Sequence, residues 1–396
     1  MHLDEMAAKA FGLTSFTAVG HLIHINLRDN LLQHKHEIGE ALLRNNSRAL
    51  AVVNKVNSID NAYRNFDIEI IAKRQDCPLT DEELMVCEVN ENKCRFKLDF
   101  SKVYWNSRLC TEHERIISKL NKSHDIVFDL FAGVGPFSVP AAKAKCTVYA
   151  NDLNPESIKW LRINMERNKI PRNMYEIYNE DAKDFILNEM KQKLLDIYDD
   201  VEEEEPAIKP RIHILMNLPA LAPTFLPYFS GLLNDVDADE QPPSTSDRKT
   251  TLQVFKEQSL DHVVYCYCFL KGAYENPKHE VQKMIEDNFG RKLTNEQLVE
   301  IFKVRNVAPF KDMYRVSIKL DEAILFSPKE LVGIMKKTAG DAQPVAPVTN
   351  GYSKKMTSMD TQGTKRLHEN SSTDESTDVE VETTKRAKIS DYCAIM

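Results

Sequence analysis

Short apolar runs broken by charged turns fill the first hundred residues, and the pattern predicts a small α+β module over residues 1–105. Residues 17–31 read as a strand entering from Gly20. A helix is predicted from Lys35 to Asn45, with Ile38, Leu42 and Leu43 on its apolar side. Strands follow at Ala49–Lys55 and Phe66–Ala72, then a polar Thr80–Glu83 loop, then Met85–Val89 and Arg95–Phe100.

From residue 106 to about 325 the rhythm changes to apolar strands alternating with helical periods. The strands are Ile126–Leu130, Thr147–Ala150, Met174–Tyr178, His213–Met216 and His262–Phe269. An antiparallel pair, Phe302–Val307 and Met313–Leu320, closes the series around Pro309. Asn154 is placed to cap a helix opened by Pro155, whose buried stripe is Ile158, Leu161 and Met165. A further helix is expected over Lys183–Tyr198, and the acidic run that follows, up to Pro206, reads as a surface insertion. Alternation of this kind predicts an α/β, Rossmann-like domain with a mostly parallel sheet and ligands at the carboxyl ends of its strands. Periodicity fades by Ser327, so 326–396 is expected to be a disordered tail.

Composition narrows the picture only a little. Apolar residues make up 42%, enough for a core, and a net charge of −8 argues against a generic polyanion binder. Much of the acid sits in local blocks, so global charge is a poor guide to any one face. The eight cysteines fit no zinc spacing, and no metal is expected. No apolar stretch is long enough to span a membrane. Met1–Phe16 is a weak match to a targeting signal. In the tail, Lys385-Arg386-Ala387-Lys388 is a nuclear-import candidate, and Cys393-Ala394-Ile395-Met396 fits a prenylation box.

The candidate chemistry centres on Phe128–Asp152. Strand, glycine turn, helix, strand and acid succeed one another there, with Phe131 and Gly133 in the turn and Asp152 positioned for a ribose. Asp129 precedes the turn and the third glycine of a dinucleotide fingerprint is missing. A carboxylate beside the turn suits the cationic donor S-adenosylmethionine (AdoMet) better than NAD. Asp129, Asp152, Asp181 and Asn217 all fall at or near strand ends, a recurrence that packing does not explain.

With those residues in hand, the chain resembles the archaeal and eukaryotic tRNA (guanine-N1-)-methyltransferases that act on guanosine-37. The resemblance rests on Val-Tyr-Trp-Asn-Ser-Arg-Leu-x-x-Glu-His at 103–113, Asp-x-Phe-Ala-Gly-Val-Gly-Pro-Phe at 129–137, Ala-Asn-Asp-Leu-Asn-Pro at 150–155 and Met-Asn-Leu-Pro-Ala at 216–220. It implies an unknotted AdoMet-dependent domain preceded by a tRNA-binding module. It also implies a general base at Glu112 and an arginine, Arg64, that stabilises guanine O6. Cofactor contacts are implied at His113, Asp129, Asp152, Leu153, Asp181, Ala182 and Asn217. Tyr104, with Trp105, is expected to stack on a splayed-out base, and Arg108 and Pro219 to bind substrate. Relatives carry a further N-terminal domain nearly absent here, His113 stands where some have Arg, and Lys73 where Gly is usual. A monomer is expected, in cytoplasm, nucleus or, by resemblance, the mitochondrial matrix. The alternatives are an aminocarboxypropyltransferase of wybutosine synthesis, a non-catalytic tRNA-binding relative and an NAD-dependent oxidoreductase.

Overall fold

A computed structural model describes residues 16–56, 67–204, 208–234 and 250–328. Arg64, the polar loop at 235–249 and the tail with its basic cluster and Cys393 box lie outside those residues.

The N-terminal module is a four-stranded sheet with one helix against it. The stretch expected as one strand is a hairpin, β1 (Thr17–Val19) and β2 (Leu22–Ile25), turning at Gly20. Gly20 takes φ +58°, and a Cβ there would lie 2.7 Å from the carbonyl of Glu88, so the turn is pinned by backbone geometry and close packing. Helix α1 (Lys35–Asn45) buries Ile38, Leu42 and Leu43 as its periodicity predicts. It packs beside β3 (Ala51–Val56) and β4 (Asp67–Lys73), which complete the sheet in the order β1-β2-β3-β4.

Thr80–Glu83 is not a loop. Thr80 accepts from the Glu83 amide at 3.2 Å and Glu83 returns a bond to the Thr80 amide at 2.8 Å, a capping box that starts α2 (Asp81–Met85). A hairpin follows, β5 (Val86–Glu91) and β6 (Cys94–Asp99).

After α3 (Cys110–Ile117), the larger sheet is built from β7 (Ile126–Asp129), β8 (Thr147–Asn151), β9 (Tyr175–Tyr178), β10 (Ile212–Met216), β11 (His262–Lys271), β12 (Leu298–Ala308) and β13 (Lys311–Lys319). Its order is β12-β13-β11-β10-β7-β8-β9, and only β13 runs against the others. Helix α4 (Ser138–Lys143) links β7 to β8, and α5 (Pro155–Arg167) links β8 to β9. Asn154 caps α5 by accepting from the Glu156 amide at 3.0 Å, and Ile158, Leu161 and Met165 are buried. Helix α6 (Ala182–Phe185) runs through a π-turn into α7 (Lys191–Glu204), so the acidic run after Tyr198 is largely helix rather than insertion. The remaining helices are α8 (Thr251–Gln258), α9 (Pro277–Phe289) and α10 (Glu322–Leu325).

The β5–β6 hairpin is stitched to α5. The Lys97 amide donates to Asn164 Oδ1 at 2.7 Å, the Arg95 amide to Asn168 Oδ1 at 2.9 Å, and Asn164 Nδ2 reaches the Val134 carbonyl at 3.0 Å. One apolar core accordingly runs from Val19 and Val53 through Phe96 and Trp105 to Val127 and Leu161. No helix among the described residues is long and apolar enough to cross a membrane.

Candidate functional site

The strand ends and the N-terminal module enclose a cavity of about 490 Å³, a volume suited to a small ligand and its partner. Residues just past the carboxyl ends of β7, β8 and β10 line it. The glycine turn forms its floor: the Gly135 amide donates to the Ala132 carbonyl at 2.9 Å, with Gly133 at φ +54° and Gly135 at φ +96°. A Cβ on Gly135 would strike Leu161 and Val139 at 2.6 and 2.7 Å, whereas one on Gly133 meets nothing within 4 Å. Gly135 is thus required by packing, and Gly133 keeps open space for a ligand.

Asp152 holds this turn in place. Its Oδ2 accepts from the Gly133 amide at 2.8 Å and its Oδ1 from the Asn154 amide at 2.9 Å. Ser157 also bonds this carboxylate, which keeps a further acceptor site for a hydroxyl donor. Burial raises the Asp152 carboxyl above the usual carboxylate range, and the backbone bonds from Asn154 and Gly133 oppose that shift. Asp181 caps α6 through the Lys183 amide at 2.8 Å. Asn179 Nδ2 ties the carbonyls of Asp152 and Leu153 to the β9 loop at 2.8 and 3.0 Å. Beyond β10, Asn217 and the Leu218–Pro219 turn form the opposite wall, with Leu218 accepting from the Leu221 and Ala222 amides at 2.8 and 2.7 Å. Asn217 Oδ1 is buried with no partner among the described residues, a place suited to a donor.

The walls differ in charge. Asp152 and Asp181 follow β8 and β9, whereas Arg28 and Lys55 come from the N-terminal module, Arg108 from the approach to α3 and Arg305 from β12. Burial, aided by the charges of Lys55 and Arg108, pushes His24 down to about 3, and burial lowers Lys55 to about 8. His24 therefore stays neutral within a basic wall. Tyr104 is 49% exposed at the rim, its hydroxyl accepting from Asn106 at 3.2 Å. Trp105 is buried against Phe96, with ring centroids 5.3 Å apart, so its main contact is core.

Of the expected site residues, His113, Phe131, Gly133, Asp152, Leu153, Asp181, Ala182, Asn217, Tyr104, Arg108 and Pro219 all line this one cavity. Two described residues do not. Asp129 is fully buried beneath the turn, where Oδ2 accepts from Ser138 at 2.6 Å and ties β7 to α4. Burial pushes its carboxyl up to about 7, against the bond from Ser138. It supports the turn from beneath through the Ser138 bond. Glu112 is also buried, on α3 one residue before His113. Its Oε1 accepts from Tyr267 at 3.0 Å and lies 3.3 Å from Arg315, and Oε2 is bonded by Arg115. Arg315 continues to Glu300 at 2.8 Å. Glu112 thus sits at the centre of an ion-pair network and is not among the residues that line the cavity.

Glu91 escaped the sequence reading. It lies on β5, outside every motif, yet its Oε1 is 2.5 Å from His113 Nδ1. No local pattern signals a contact between a hairpin and a helix 22 residues later.

Comparison with known proteins gives this arrangement a setting. The family described as the TRM5/TYW2 methyltransferase domain matches residues 87–198, and the one described as the TYW2 N-terminal domain matches 8–73. A tRNA (guanine(37)-N(1))-methyltransferase of Drosophila melanogaster is 44% identical over 85% of this chain and 67% of its own length. One of Xenopus tropicalis is 44% identical over 82% of this chain and 58% of its own. The chain thus spans about two thirds or less of the length of these relatives. Among solved structures, Trm5b from Pyrococcus abyssi superposes with a TM-score of 0.54 at 25% identity, covering 79% of this chain and 77% of that one. A structure titled as a complex of aTrm5 and tRNALeu gives 0.53 at 21% identity over 80% and 77%, a likeness of fold.

Proposed function

Because the chain belongs to the tRNA (guanine(37)-N(1))-methyltransferase family, we propose that it transfers the methyl group of AdoMet to N1 of guanosine-37 in tRNA. The observation that carries this reading is the two-sided cavity. Its acidic strand-end wall suits a nucleoside cofactor, and its basic wall suits RNA. AdoMet would supply a methyl group on a sulfonium, an electrophile that needs only in-line approach by its acceptor.

The residues present fit that donor. Asp152 retains lone pairs for ribose hydroxyls, Ala182 and Leu153 offer apolar contact beside it, and Gly133 leaves room. Asn217 Oδ1 awaits a donor such as a purine N–H or amine. Tyr104 presents a half-exposed ring to a base splayed out of a loop. Arg28, Lys55, Arg108 and Arg305 would meet phosphates.

Guanine N1 must lose its proton to become a nucleophile, a task general-base catalysis supports by about 10²–10⁴-fold. On this reading Glu112 accepts that proton, and to do so its carboxylate must leave Tyr267 and Arg315 and turn into the cavity alongside His113. Such tightening on substrate binding is common where the ligand-free geometry is not aligned. Arg64 is proposed to steady the charge that develops on O6.

The test uses the full chain, unmodified tRNA and AdoMet labelled either in the methyl or in the aminocarboxypropyl group. Methyl label entering RNA supports the proposal. Aminocarboxypropyl label entering RNA would assign the wybutosine-pathway reaction instead, the reading favoured by the family match of residues 8–73.

A further inference from the structure

We infer that Glu91 is a positioning residue that acts through His113 to hold the amino-acid end of the methyl donor. The inference rests on the methyl-donor reading and goes beyond it, because Glu91 belongs to none of the motifs that carry that reading.

Glu91 ends β5 and is 8% exposed; His113 lies on α3 and is 4% exposed. The 2.5 Å contact between Glu91 Oε1 and His113 Nδ1 takes up one ring nitrogen as a donor and fixes the rotation of the imidazole. The other nitrogen, Nε2, is buried and has no partner among the described residues, while the ring itself lines the cavity. Native interiors rarely leave such an atom unmet. A buried carboxylate supporting a histidine whose second nitrogen is unmatched is the arrangement that orients a ligand-binding imidazole.

Sheet order says which part of the ligand it meets. Asp152 and Asp181, suited to the adenosine, follow β8 and β9 on one side of β7. His113 packs its ring against the edge of Phe137 with centroids 4.6 Å apart, and Phe137 in turn lies 6.2 Å from Tyr267 of β11. Strand β11 is on the other side of β7. The imidazole therefore stands across the glycine turn from the adenosine wall. There the remaining part of the donor, its charged amino-acid tail, is left to be placed.

The measurement is the dissociation constant of the full chain for S-adenosylhomocysteine, which has the tail, and for 5′-methylthioadenosine, which lacks it. In Glu91→Leu the first should weaken about tenfold or more, the scale of one lost hydrogen bond to a charged group, with the second changing less than about twofold. Glu91→Gln keeps an acceptor for Nδ1–H and should recover most of the loss. Equal weakening of both ligands in Glu91→Leu would make Glu91 a residue of the fold alone. No weakening of either would also overturn the inference. A wild-type chain that binds neither ligand would remove the methyl-donor reading, and this inference with it, whereas failure of Glu91→Leu alone leaves that reading standing.

Discussion

The hydroxyl of Tyr267 donates to Glu112 Oε1 at 3.0 Å, joining residues 155 positions apart, and the guanidinium of Arg315 stands 3.3 Å from the same oxygen. Glu112 is 3% exposed and Arg315 fully buried, so the carboxylate exists where it does because a cation and a phenol receive it. Burial and the neighbouring Glu112 charge push Tyr267 well above the usual phenol range, keeping it a hydrogen donor. The residue proposed as base is therefore also the partner that neutralises a buried arginine.

These two roles separate by substitution. Glu112→Gln keeps the volume and an acceptor for Tyr267 but cannot take the N1 proton. Turnover should fall about 10²-fold or more, with cofactor binding nearly unchanged. Glu112→Ala additionally removes one of the two carboxylates that meet Arg315, leaving Glu300, and should lower the denaturation midpoint. Full turnover in Glu112→Gln would leave the carboxylate a structural partner only.

The two glycines of the turn should respond in opposite ways. Gly135→Ala drives a methyl into Leu161 and Val139, and overpacking of that kind costs about 1–3 kcal/mol, so the melting temperature drops. Gly133→Ala meets no protein atom and costs about 1–2 kcal/mol of backbone strain. It fills space on the cavity side, however, and should weaken S-adenosylhomocysteine binding in titration calorimetry by more than its effect on stability explains.

Asp129 gives a pH dependence. Its folded carboxyl titrates near 7, above the ordinary value of about 4, so between those limits the folded chain holds a proton that the unfolded chain has released. Stability from this group is greatest at the acid side, falls as pH rises through that window and is level above it. Asp129→Asn should flatten this fall in denaturant titrations of the ligand-free chain between pH 5 and 8. An unchanged slope would mean that the buried carboxyl is already ionised across the window.

Much of this architecture is visible in the chain itself, and the reasons are local. Asn154 and Pro155 announce a helix start because cap and first turn are adjacent in sequence. The glycine turn is legible because strand, turn and acid fall within 25 residues. The Thr80–Glu83 capping box was equally local, and its Thr-x-x-Glu spacing is the signal that a reading of the stretch as loop overlooks. The hairpin at Gly20 depends on a contact with Glu88, and the site's supporting pairs, Glu91 with His113 and Glu112 with Arg315, join separate elements. Residue type shows that such groups are capable of pairing; only the fold says with what.

Asn217 should show a trade between stability and function. Its Oδ1 has no partner among the described residues, so Asn217→Ala removes an unmet buried atom and should leave thermal stability equal or higher. Turnover should drop about 10²-fold, the scale of one lost polar contact to a reacting group. A parallel loss of stability and turnover would place Asn217 in the fold rather than the chemistry.

The most direct test of the central claim is nucleoside mass spectrometry on unmodified tRNA incubated with the full chain and AdoMet. The account predicts 1-methylguanosine at position 37, absent when that position is adenosine and absent without the chain. A methyl group found on another base or another ring atom, or transfer that persists when guanosine-37 is replaced, would contradict it.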